Sequence, residues 1–286
     1  MGYLHIDNLY KNQHILLFKE CYAMEKIHGT SAHIGWKFET DQINYFTGEN
    51  HKVFLSLFTE AALRACFEAI FPDQDATIYG EHYAGKCQGM SYTYGKISKF
   101  IGFDVKVGSS WLDVPNAEDV CKQFGIEFVW YEKIPTLLEL LELEMNKPSE
   151  QARRNGIIEP MQREGIVLRP LTEMRTNNGE RVICKYKPEK FGETKTKREV
   201  SPEQLKVLSD AKEIAEEWVT NMRLEHVLQK FPTDVSMESM GDIIKVMIED
   251  VYREGREEIV ESKAVGKAIG GKAVQLFKAK LQSTLK

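Results

Sequence analysis

The hydrophobic rhythm of this chain changes near residue 200, and that change limits the folds open to it. Behind Ser201-Pro202-Glu203-Gln204, the residues Leu208, Ala211, Ile214, Ala215, Trp218, Val219 and Met222 recur at three- and four-residue spacing. Such spacing places them on one apolar stripe of a helix. Ser201 suits the N-cap, Pro202 the first helical position, and Gln204 completes a capping box. Ile243–Val251 and Ala264–Leu281 carry helical spacing as well. Upstream the pattern is different. Ala23–Glu25, Thr77–Glu81, Phe100–Val105, Gly165–Arg169 and Arg181–Lys187 are short, β-branched, aromatic or alternating stretches, as strands are. Phe54–Phe71 is apolar over many turns without Gly or Pro and reads as a buried helix, and Leu137–Leu143 as another. The chain is therefore expected to be an α+β domain over residues 1–197, followed by a small all-α domain over 198–286.

Composition narrows the function classes. At 286 residues, 42% hydrophobic and 28% charged, the chain has a globular balance and not a disordered one. No apolar run approaches the roughly 18 residues of a membrane helix, so no membrane partner is expected. Met1–Asp7 lacks the pattern of a secretory signal. Five widely spaced cysteines, an odd number with no CxxC, suit a reducing cytosol and not a disulfide scaffold or zinc ribbon. The formal net charge of −5 argues against a chain that is basic throughout. Its distribution says more. Residues 181–198 hold seven Lys/Arg against two acids, and residues 263–286 hold six lysines and no acid. Two basic islands on an acidic protein can engage a polyanion locally, although solvated lysine-rich faces have the same composition.

Two glycine-rich stretches imitate a phosphate-binding loop. Gly80–Cys87 follows a strand but is one residue short, and Cys87 stands where a hydroxyl must hold Mg²⁺. Gly266–Lys272 has Ala273 in that place and lies within a helical stretch, where its glycines serve close packing.

The candidate chemistry centres on Glu25-Lys26-Ile27-His28-Gly29-Thr30-Ser31, a lysine on an expected strand followed at once by a glycine turn, a pattern that taken alone also suits an ordinary surface lysine. An amine in such a place is a nucleophile when desolvation or neighbouring cations make its neutral form available. Gly29 lets backbone approach a nucleotide closely, and His28 is placed to contact a phosphate. Lys-x-His-Gly-Thr resembles the first motif of the covalent nucleotidyltransferases, in the form used by ATP-dependent RNA ligases of the nick-sealing RNA ligase 2 family. Tyr79-Gly80-Glu81, Ile101-Gly102-Phe103-Asp104-Val105, Glu164-Gly165-Ile166-Val167-Leu168-Arg169-Pro170 and Cys184-Lys185-Tyr186-Lys187 follow in that family's order.

The resemblance implies a nucleotidyltransferase domain of antiparallel sheets with flanking helices, with a helical C-terminal domain that grips a duplex. It implies that Lys26 attacks the α-phosphate of ATP, assisted by His28, Glu164, Lys185 and Lys187. Glu25, Ile27, Ser31, Glu81 and Phe103 join Lys26, Glu164 and the two lysines in binding the nucleotide, Phe103 by stacking on adenine. Asp104 and Glu164 are the expected ligands of Mg²⁺ or Mn²⁺, since carboxylates beside phosphates need a cation between them. Lys185 and Lys187 alternate along a strand and so share a face; their charge lowers the pKa of Lys26. The implied partner is a nucleic acid, a duplex or nicked RNA or an RNA/DNA hybrid, bound by a cytoplasmic monomer of the kind phages encode.

Two positions depart from the family: Ser31 stands where Asn is usual, and Phe46-Thr47-Gly48 where Arg-Thr-Gly is usual. Both places are tied to nucleic-acid steps more than to ATP uptake. A DNA ligase or mixed-strand ligase is thus one alternative, and a non-catalytic nucleotide- or nucleic-acid-binding protein of the same fold is another.

Overall fold

The computed structural model describes residues 2–192, 211–231, 235–256 and 258–284. Nine strands lie in its first part: β1 (Glu20–Lys26), β2 (Thr30–Lys37), β3 (Gln42–Thr47), β4 (Ala76–Tyr83), β5 (Lys99–Val107), β6 (Ser110–Trp111), β7 (Tyr131–Pro135), β8 (Gly165–Pro170) and β9 (Cys184–Tyr186). They form two antiparallel sheets, one ordered β7-β1-β8-β9 and the other β3-β2-β4-β5-β6. The mixed α+β class and the antiparallel sheets are as expected. Of Arg181–Lys187, only Cys184–Tyr186 pairs as strand.

Alternation decides what each sheet face does. Along β2, Ala32 and Ile34 are fully buried while Ser31 and His33 are half-buried; along β4, Ile78 is fully buried while Tyr79 and Glu81 are half-buried. The register sets Ser31 opposite Glu81 and His33 opposite Tyr79. One face of this sheet is thus apolar and the other carries hydroxyl, imidazole, phenol and carboxyl groups. The apolar face packs with Phe54, Leu63, Phe67, Val114 and Ala117 into one core.

Those packing residues come from helices α1 (His51–Leu55), α2 (Glu60–Ile70) and α4 (Val114–Gln123); α3 (Ser91–Tyr94), α5 (Leu138–Met145) and α6 (Glu150–Arg154) complete the unit. The expected buried helix over Phe54–Phe71 is two helices. Ser56 Oγ turns back to the Val53 carbonyl at 2.7 Å, and Thr59 is extended before α2 begins. Hydroxyl side chains compete with the helix ladder in this way. Only Leu63 and Phe67 of α2 are buried, so it is amphipathic and not enclosed.

The chain divides into two compact units, one up to Pro188 and one from Glu189. The expected 197/198 boundary and the helix start at Ser201–Gln204 lie outside the described residues. The second unit comprises α7 (Ala211–Trp218), α8 (Asn221–Leu228), α9 (Met240–Glu254) and α10 (Lys263–Thr284). Its core gathers Ile214, Trp218, Val227, Ile243, Met247, Ile269 and Phe277. The stripe expected to run through Met222 is broken after Trp218, because Thr220 caps a new helix by accepting from the Arg223 N–H at 3.2 Å. A Cβ on Gly266 or Gly270 would meet Tyr252 at 3.3 Å or Ile244 at 3.0 Å, so these glycines serve close packing of α10 on α9. Among the described residues, no helix is long and apolar enough to cross a membrane.

Candidate active site

The site forms where the chain crosses from one sheet to the other. Lys26 ends β1, and the turn Ile27–Gly29 leads into β2 of the second sheet. In the β1–β8 register Lys26 lies opposite Gly165, so the residue before that glycine, Glu164, comes beside the amine. Lys26 Nζ donates to Glu164 Oε2 at 2.8 Å, and Lys187 Nζ lies 2.9 Å from Oε1. Strand order explains this: β8 lies between β1 and β9, so the two lysines reach Glu164 from opposite sides. The Lys26 side chain is 26% exposed while Glu164 is only 2% exposed. The carboxylate is locked in, and the amine remains reachable.

The second sheet contributes Glu81. Its carboxyl is pushed up to about 8, first by burial and further by Glu164, against the opposing pull of Lys26 and Lys187. The Gly29 N–H donates to it. Gly29 has to be glycine: a Cβ there would lie 2.5 Å from the His82 carbonyl oxygen and 2.9 Å from both Glu81 Cγ and Tyr83 Cβ. His28 is buried, with Nδ1 3.7 Å from Glu164 Oε2, and its backbone N–H donates to Tyr94 Oη at 3.3 Å. The result is a reachable lysine, a second lysine and two carboxyls within one electrostatic cluster.

Phe103 stands on the same sheet. Tyr79 pairs with Asp104 and Gly80 with Gly102, so Phe103 is the extra residue of a β-bulge. Bulges re-aim side chains, often beside active sites. The half-buried Phe103 ring meets the edge of Tyr3 at 4.8 Å between centroids.

The RNA ligase family model matches residues 19–187, more than half of the chain. The chain belongs to the RNA ligase family. Similar solved structures include several of the Naegleria gruberi RNA ligase. A point mutant with AMP and Mn has a TM-score of 0.52 at 14% identity, another with ATP and Mn has 0.52 at 15%, and the protein with PPi has 0.50 at 16%. Each comparison covers 67% of this chain and 57% of the other, so this chain spans little more than half the length of those proteins. At such identities they show a shared fold. No curated protein matches the chain.

Within this family member the structure brings Lys26, His28, Glu81, Glu164 and Lys187 together. Lys185 is buried on β9, its backbone paired with Asp7 and Leu9. Ile27 is buried in the core of the first unit. Ser31 Oγ accepts from the Tyr3 N–H at 3.3 Å. Two expectations need correction. Glu25 turns away from the site, because consecutive strand residues face opposite ways. Its carboxylate accepts from Ser149 Oγ at 2.5 Å and from the N–H groups of Glu150 and Gln151 at 3.0 and 3.1 Å, which fixes the start of α6. Asp104 is not placed as a metal ligand either. It accepts from Arg169 at 3.0 Å, Arg181 at 2.7 Å and Tyr3 Oη at 2.5 Å, all within the protein interior. Two guanidinium groups already compensate its charge, and Glu173 holds both of them.

Sequence reasoning missed Tyr3, Tyr94 and His33. Tyr3 binds the Asp104 network and packs on Phe103, Tyr79 and Trp111. His33 stacks on Phe46 with centroids 5.2 Å apart, and burial lowers its pKa to about 4. Period-two alternation from Ser31 to His33, and from Glu81 back to Tyr79, was the available signal for the latter face.

Proposed function

We propose that this chain is an ATP-dependent RNA ligase that seals a 3′-hydroxyl to a 5′-phosphate at nicks through AMP carried on Lys26. The observation that carries this reading is the partly exposed Lys26 amine, held 2.8 Å from the buried Glu164 carboxylate. Lys26 Nζ attacks the α-phosphorus of ATP; the P–N bond forms as the bond to the pyrophosphate oxygen breaks. The departing ammonium proton has Glu164 Oε2 within hydrogen-bond distance. The cationic Lys187 and Lys185 neutralise charge on the phosphate, and Phe103 stacks on adenine. AMP then passes to the 5′-phosphate of the nucleic acid, and the 3′-hydroxyl attacks that phosphorus and expels AMP.

The acidic residues fit a divalent ion. Glu81 and Glu164 are hard oxygen donors, and burial, the first cause of the raised Glu81 pKa, disfavours its charge unless a cation stands beside it. Glu81 and Glu164 would hold Mg²⁺ or Mn²⁺, which would supply positive charge beside the phosphates. The ATP, AMP, Mn and PPi present in the Naegleria gruberi structures support the same reading. The nucleic acid is held by salt-sensitive contacts to the basic islands. Five cysteine thiols, all free, suit a reducing compartment.

The test is label transfer from ATP labelled at its α-phosphate to the protein with Mg²⁺, read on a denaturing gel. Label on the wild type that is absent from Lys26→Ala supports the proposal. Wild type that stays unlabelled, even after pyrophosphate has stripped any AMP carried from the cell, overturns it.

A further inference from the structure

The segment leaving β4 carries no acid from Ala84 to Lys99 but three lysines, Lys86, Lys96 and Lys99, on a chain whose net charge is −5. Lys86 and Lys96 are exposed; Tyr92 between them is 73% exposed, and Ile97 next to Lys96 is 75% exposed. Lys99 is tied to Asn155 at 2.7 Å, and Asn155 also donates to the Tyr94 carbonyl at 2.9 Å. Tyr94 in turn accepts from the His28 N–H, two residues from Lys26. The segment is thus anchored to the turn that holds Lys26, and it presents an aromatic ring flanked by free-standing cations.

We propose that Tyr92, Lys86 and Lys96 form the surface on which a nucleic-acid strand lies as its end reaches Lys26. This rests on the ligase reading above and assigns part of its substrate site. A base has a π-face that a tyrosine ring matches whatever the sequence, and lysines on either side follow the phosphates. The absence of acids from the segment favours a polyanion over a protein partner.

The test compares the full chain with Tyr92→Ala, the double variant Lys86→Ala/Lys96→Ala, and Lys86→Arg/Lys96→Arg. Each is assayed for label transfer from α-labelled ATP and for binding to a nicked RNA duplex across a salt series. Tyr92→Ala and the double alanine variant are expected to take up label within about twofold of wild type. Their affinity for the duplex should fall about tenfold, and the double alanine variant should lower the slope of log K against log salt by about two. The arginine variant should bind as wild type. Duplex affinity and salt slope unchanged in the alanine variants, with wild type still binding and labelling, would overturn this surface and leave the ligase reading intact. Wild type that takes no label is the separate failure of the ligase reading. Equal binding of an acidic peptide polymer would also overturn the assignment to nucleic acid.

Discussion

Glu164 is the residue on which the site turns, because both its oxygens are engaged by lysines from opposite strands. Glu164→Gln keeps the shape and removes the charge, so label transfer from ATP should fall at least about a hundredfold while the thermal transition stays cooperative. A variant that labels at the wild-type rate would remove Glu164 from the chemistry. Glu81 makes a different prediction. Its carboxyl is raised to about 8 in the folded chain, so the native state holds that proton more tightly than the unfolded chain. Stability is lost as pH rises through the window up to about 8, and the penalty is complete above it. Glu81→Gln should therefore raise Tm at pH 9 and leave it nearly unchanged at pH 4; a Tm difference independent of pH would refute this. Glu25 tests the correction made above. Glu25→Gln weakens the start of α6 and should cost about 1–2 kcal/mol in urea unfolding, with label transfer within a few-fold of wild type. Loss of label as complete as in Lys26→Ala would return Glu25 to the site.

At the scale of elements, the β4–β5 pair positions the aromatic ring through its bulge. Gly80 makes this pairing possible, since a Cβ there would lie 2.2 Å from the Ile101 carbonyl oxygen and 2.5 Å from the Phe100 ring. Gly80→Ala should cost about 2–3 kcal/mol in chemical denaturation and weaken ATP binding with it, as the bulge that aims Phe103 shifts. Unchanged stability would mean that the two strands separate at little cost. Beneath the bulge, Asp104 joins β5 to Arg169 of β8 and to Arg181, so it links the two sheets. Removing it as Asp104→Ala leaves two buried guanidinium groups short of an anion, a loss of about 3 kcal/mol or more. The same network shows how far the motifs could be read. Phe103 and Asp104 were legible as a pair, but the bulge depends on pairing with β4, and the arginines that claim the carboxylate come from segments distant in sequence.

For the whole molecule, the two hydrophobic cores share no residue, and Lys26, Glu81, Glu164 and Lys187 all belong to the first unit. A chain ending at residue 192 should still take label from ATP, while its affinity for nicked duplex drops and its salt dependence weakens with the loss of the lysines in 263–286. A truncated chain that folds by circular dichroism yet takes no label would show that the second unit completes the first step.

The α+β class and the change to helices were readable from the sequence because they depend on spacing and periodicity, which are one-dimensional. The ordered motifs, and Lys26 among them, were readable through the resemblance to a family. Tertiary structure alone decided which carboxyl does what. Glu25, Glu81, Asp104 and Glu164 are alike as residues; a helix start, a sheet crossing, two arginines and two lysines make them different. Those partners lie up to 138 positions away in sequence, as Lys26 lies from Glu164. A carboxyl's charge state and availability depend on burial and neighbours, and both exist only once β1, β8 and β9 have paired and brought the lysines together.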